Sequence, residues 1–144
     1  MPNPFLRTAL TASDWGLLWL RVSGSLLLLQ VHGLPKLLHF NEQLSLIEDP
    51  WHLGAKLTLC LAIFAEVFCP LAIILGLFSR LACVPILAVL LVALVVVHPE
   101  WSLAEGQFAW LLLIIFSTLC IAGPGGIAVS RRLPGRAAGL VYFQ

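Results

Sequence analysis

Four apolar runs fill most of the chain, at residues 15–34, 57–78, 81–98 and 108–123. Each approaches the ~20 apolar residues that carry a helix across the bilayer hydrocarbon. The pattern predicts an all-α polytopic membrane protein, a four-transmembrane-helix bundle. Two ionisable groups interrupt it, Arg21 in the first run and Glu66 in the middle of the second. A charge at mid-bilayer costs roughly 2.5–3.5 kcal/mol on insertion scales, so both are expected to face other helices rather than lipid. Runs two and three are joined by little more than Ser79-Arg80, which makes them antiparallel neighbours. The first connection, 35–55, is longer and amphipathic through Leu37, Leu38, Phe40, Leu44, Ile47 and Trp51, and reads as a short interfacial helix or cap. Gly123-Pro124-Gly125-Gly126 ends the fourth run with helix terminators.

Composition narrows the class. Of the 144 residues, 60% are hydrophobic and 10% charged, against about 25% charged in soluble domains. Four spans and their connections use almost the whole length, so one membrane domain is expected over 1–138, with no room for a soluble catalytic domain. The terminal Tyr-Phe-Gln makes 139–144 resemble a tag remnant left by a viral cysteine protease. The first run is longer than a signal-peptide core, contains Arg21 and lacks a small-x-small cleavage site, so it reads as a retained span. A net charge of +1 gives no nucleic-acid signal; the expected partner is the lipid bilayer. Arg7, Arg80, Arg131, Arg132 and Arg136 fall on one side of the membrane. The other side holds Lys36 and Lys56 against Glu42, Glu48, Asp49, Glu100 and Glu105. The positive-inside rule then predicts both termini in the cytoplasm, in a bacterial inner membrane. Arg131 and Arg132 read as an anionic-lipid contact. Cys60, Cys69, Cys83 and Cys120 form no C-x-x-C pair and read as small apolar residues.

Helical phase gathers the polar groups. Arg21, Ser25, Leu28, His32 and Lys36 share one stripe of the first helix, with Ser13 or Asp14 as its expected N-cap. Thr58, Ala62, Glu66, Cys69, Pro70 and Ile73 share one of the second. Pro70 cannot donate to the Glu66 carbonyl, so an acceptor is freed beside the buried acid. Arg21 and Glu66 lie within reach of each other across the two helices. They either pair to hold those helices together or border a polar pocket. Glu66 and His32 are the candidate catalytic groups, and Arg21, Ser25, Lys36, Glu66 and His98 the candidate ligand-binding ones. No metal-ligating set is evident. The two histidines have three readings: interfacial groups, a proton relay at a cavity mouth, or bis-histidine haem ligation, which nothing beyond their number supports. No G-x-S-x-G, H-E-x-x-H, P-loop or Rossmann pattern is present.

Taken in order, several stretches resemble the DoxX family of small four-helix bacterial membrane proteins. They are Leu20-Arg21, His32-Gly33-x-x-Lys36, Ala65-Glu66, Leu75-Gly76-Leu77-Phe78-Ser79-Arg80, residues 93–98 and Gly123-Pro124-Gly125. The resemblance runs over nearly the whole chain and matches family positions at Arg21, His32, Lys36, Glu66 and Arg80. It implies redox or sulfur metabolism at the membrane. Relatives include the membrane subunit of an archaeal thiosulfate:quinone oxidoreductase and a mycobacterial protein that helps assemble a membrane-associated oxidoreductase complex. The leading expectation is therefore the membrane subunit of a quinone-linked oxidoreductase, with a quinone or similar amphipathic ligand held around Arg21 and Glu66. A soluble or peripheral redox protein and a second copy of the chain are the further expected partners. Two other readings stay open: a non-catalytic anchor or assembly factor, and a small proton-coupled transporter or lipid carrier.

Overall fold

The computed structural model describes residues 10–132. The stretch 139–144, Arg7 and Arg136 lie outside the described residues. The chain is an all-α, multi-pass membrane protein. Its helices are α1 (Ala12–Leu38), α2 (Phe40–Leu46), α3 (Ala55–Leu75), α4 (Ser79–Val97) and α5 (Gln107–Ala122), followed by a 3-10 turn at Val129–Arg132. By length and composition α1, α3 and α4 are able to cross a membrane, whereas α5 has 16 residues. Large apolar side chains cover the outside: Trp19, Leu38, Leu103 and Ile121 are each at least 72% exposed. That surface suits hydrocarbon as the solvent.

Several boundaries differ from the sequence expectation. Helix α1 starts earlier, because Thr11 caps it: its hydroxyl accepts from the Asp14 amide, and the Asp14 carboxylate accepts from the Thr11 amide. That reciprocal pair satisfies two of the orphan donors at a helix start, and Asp14 is the third helical residue rather than the cap. The helix also runs through Pro35. A widened π turn at Leu29–Gly33, closed by Leu34 N–H to the Leu29 carbonyl, ends one register. Pro35 then falls in the first turn of the next, where a missing N–H is tolerated. Helix α3 repeats the arrangement, with a π turn at Phe64–Phe68 followed by Cys69-Pro70. Its C-terminus is at Gly76 (φ 72°), where Leu77 N–H bonds the Ala72 carbonyl and Gly76 N–H that of Ile73, each at 2.9 Å. This Schellman cap needs a residue that adopts the left-handed conformation without strain. The turn into α4 is thus 76–78, and Ser79 and Arg80 already belong to α4.

The long helices are successively antiparallel. Along α1 and α5, His32 faces Phe108, Gly24 abuts Ile115, and Leu17 meets Gly125. Along α1 and α3, Gly33 meets Glu66 and Arg21 meets Gly76. All four contribute to one core: Leu28 from α1, Cys69 and Ile73 from α3, Cys83, Ile86 and Leu90 from α4, and Leu112, Phe116 and Leu119 from α5. Helix α2 covers a smaller cluster, with Phe40 and Leu44 on Leu59, Ile63 and Val67 of α3. At 1.5 Å per residue, α3 extends roughly 16 Å beyond Glu66, while α1 stops roughly 8 Å beyond Gly33. That step is close to one helix diameter, and α2 lies in it. The small-residue reading of the cysteines holds for Cys69 and Cys83, which are buried; Cys120 is half-buried, and Cys60 faces outward.

Candidate functional site

Gly33 positions the polar centre. A methyl group at Gly33 would collide with the backbone carbonyl of Glu66, so only glycine lets α1 and α3 approach so closely at this level. The two π turns therefore face each other, and each changes which residues are presented. On α1 the buried positions run Arg21, Gly24, Ser25, Leu28 and then Gly33, a step of five across the widened turn. Gly33 rather than His32 consequently meets α3. Lys36, one turn further on, reaches Glu66: Lys36 Nζ donates to Glu66 Oε2 at 2.5 Å. The Glu66 side chain is 6% exposed and that of Lys36 20%. The acid is sealed, and the base keeps an open side.

That open side borders a cavity of about 740 Å³. Ala62 and Ala65 of α3 and Ala88, Val92 and Val97 of α4 form its walls, and Ile47, Pro50 and Trp51 roof it. Helices α3 and α4 pack tightly through Cys69–Leu75 but splay apart alongside Ala55–Ile63, which leaves the space. The roof is tied down by Asp49. Its Oδ1 accepts from the Leu53 amide and the Thr58 hydroxyl, and its Oδ2 from the Gly54 amide. Desolvation pushes the Asp49 carboxyl up, but these hydrogen bonds together outweigh it, and the group titrates below its ordinary value. Most of the cavity wall is apolar, with Gln43, Glu48 and Thr58 among its polar side chains. Lys36 and His98 are its two basic side chains. His98 ends α4, stacked on Trp101 with ring centroids 3.9 Å apart and an interplanar angle of 3°.

Arg21 lies elsewhere. The residue is 2% exposed, and its side chain donates to the carbonyls of Pro124 (2.7 Å) and Ile127 (2.6 Å). Gly76 leaves the room for its Nη1. The Gly126 amide donates to Asp14 in addition, so the segment after α5 folds back and is fastened to α1 at two points. Among the described residues no hydrogen bond or ion pair joins Arg21 to Glu66. The expected Arg21–Glu66 pair is thus replaced by two separate charge sites. The reason is that the loop after α5 supplies carbonyls at Arg21's level, while Lys36 stands level with Glu66. Ser25 is fully buried one turn from Arg21, and its hydroxyl has no partner among the described residues. His32 packs its ring on Phe108 at 5.6 Å. Of the candidate site residues, then, Lys36 and Glu66 come together, Lys36 and His98 share the cavity, and Arg21, Ser25 and His32 stand apart from its wall.

The sequence reading missed Gly33 as the contact point and the alanines as the cavity lining. It also missed Lys36 as the partner of Glu66. Lys36 already lay on the polar stripe of the first helix, but that stripe carries no signal for its depth relative to Glu66.

The DoxX family model matches residues 16–99, more than half of the chain, and the match spans Gly33, Lys36, Glu66 and the cavity. The chain belongs to the DoxX family. No curated protein and no solved structure matches it. This DoxX protein therefore carries a buried polar network, Lys36 with Glu66 and Arg21 with the loop after α5, inside a multi-pass membrane domain.

Proposed function

We propose that this DoxX protein binds a quinone-like amphipathic ligand between α3 and α4, and that it serves as a redox-linked membrane subunit. The observation that carries the reading is the open side of Lys36. The ammonium has three donors, Glu66 is its one hydrogen-bond partner among the described residues, and the rest of the group borders an apolar cavity of ligand size. A ligand with a carbonyl oxygen in an apolar frame satisfies both demands. Reduction of a quinone oxygen needs a proton nearby. Lys36 would hold that oxygen and stand ready to give it a proton, and Glu66 behind it would position Lys36. His98, Gln43, Glu48 and Thr58 are the cavity's other polar side chains. In this reading Arg21 and Ser25 serve the fold, and α5 is a fourth crossing in an inner membrane with both termini cytoplasmic.

Mass spectrometry of organic extracts from the purified protein tests the proposal, with wild type beside Lys36→Met and Glu66→Gln. The expected result is a quinone enriched over bulk lipid in wild type and depleted in both variants. Equal, unenriched extracts from all three would overturn it. They would favour a membrane anchor for a soluble oxidoreductase, a reading supported by the exposed Leu38, Leu46, Trp51 and Leu53 around α2.

A further inference from the structure

The cavity beside Lys36 does not end at the π turn of α3. A second cavity of about 500 Å³ continues toward the Arg21 end, walled by Phe68 and Ala72 of α3, Phe78 of the turn, and Leu81 and Val84 of α4. Phe64 and Pro85 belong to the walls of both, so the two form one seam along α3 and α4. From Thr58 to Ala72 it runs roughly 21 Å at 1.5 Å per residue. Its existence has a local cause. Pro85 removes a helical N–H from α4 opposite the π turn of α3, so both backbones are irregular at the neck. On either side of the neck the seam is lined by Ala62, Ala65, Ala72, Ala82 and Ala88, whose side chains are too short to fill it.

The polarity of the seam is one-ended. Lys36 and His98 stand at the α2 end, whereas the second cavity offers nothing more polar than the Cys69 thiol. Phe64, Phe68, Leu81 and Val84 are all more than half exposed, so the seam opens sideways to the hydrocarbon. We infer that the ligand carries one long alkyl or isoprenoid chain. Its head lies at Lys36, and its chain lies in the seam, past Phe64 and Pro85 toward Phe78. This rests on the head-group reading above. Because bilayer hydrocarbon is as apolar as the seam, the chain gains by packing rather than by leaving water, and its effect on affinity is moderate.

The experiment uses the full chain in phosphatidylethanolamine–phosphatidylglycerol nanodiscs with two probes sharing one head, 2,3-dimethoxy-5-methylbenzoquinone and its 6-decyl derivative. Binding is read from quenching of Trp51, which lines the cavity, with Trp51→Phe as the blank. Affinities are expressed per mole fraction in lipid. Wild type should bind the decyl probe roughly three- to tenfold more tightly than the tailless one. Ala72→Phe, and independently Val84→Phe at an exposed position, should remove that preference while leaving the tailless probe unchanged. Lys36→Met should weaken both probes. A chain preference that is absent in wild type, or that survives both seam variants, overturns the chain assignment; if Lys36→Met still weakens both probes, the head-group reading stands. Failure of both probes to bind, or indifference to Lys36→Met, removes the head-group reading and the chain assignment with it.

Discussion

Two charged sites in this bundle are handled in opposite ways. Arg21 is surrounded: two backbone carbonyls accept from its Nη1 and Nη2 while its buried Nε has no partner among the described residues, the Gly76 turn closes over it, and the loop it holds is itself buried at Gly123, Pro124 and Gly125. Lys36 and Glu66 answer each other, but Lys36 keeps one side on a cavity. An ionisable residue within a membrane is a functional candidate by default. The contrast refines that rule. A charge whose hydrogen bonds end in its own backbone fastens a fold, and a charge with donors turned to an apolar space has something left to bind.

The sharpest way to break the comparison is Arg21→Met. It leaves the Pro124 and Ile127 carbonyls without their donors and frees the segment after α5. The expected loss is on the order of 3 kcal/mol, since each buried unsatisfied group costs about 1–3 kcal/mol. It should appear as a large drop in melting temperature in detergent, with ligand content per folded molecule unchanged. Ligand lost in proportion beyond unfolding would place Arg21 in the binding site instead. Gly33→Ala comes next. It forces α1 away from the Glu66 carbonyl at an overpacking cost of about 2 kcal/mol, and because Lys36 moves with α1 it should weaken both stability and ligand retention. A variant that lost stability alone would show that the pair tolerates the shift.

The smallest effect concerns the roof. Asp49→Asn loses the acceptor for the Gly54 amide and should lower the melting temperature only slightly. Its pH dependence has a definite sign. The carboxyl titrates lower in the folded protein than in the unfolded chain, so its contribution is complete above the ordinary aspartate value of about 3.9 and disappears as pH falls through the folded value. Melting curves of wild type and Asp49→Asn should therefore differ by a constant amount from neutral pH down to about 5 and converge only in stronger acid. Convergence near neutrality would mean that another group ties down the loop.

Much of the architecture was legible from residue order. The apolar runs located the long helices, Arg21 and Glu66 marked where each must turn inward, and the phase of Thr58, Ala62, Glu66 and Ile73 identified the inner face of α3, with all but the half-buried Thr58 fully enclosed. Helix ends were less legible, and the first apolar run closes at residue 34. Pro35 does not end α1, because the π turn before it starts a new register in which its missing N–H is harmless.

The sequence by itself determined the medium, the helices and which charges must be buried, because hydrophobicity and helical period are properties of neighbours in the chain. The tertiary structure alone decided which partner each charge takes. Lys36 meets Glu66 because Gly33 brings two backbones together across 32 intervening positions, and Arg21 meets Pro124 and Ile127 because the loop after α5 folds back onto α1. Such pairings depend on the relative depth of helices packed side by side, and no local pattern in the chain encodes that depth.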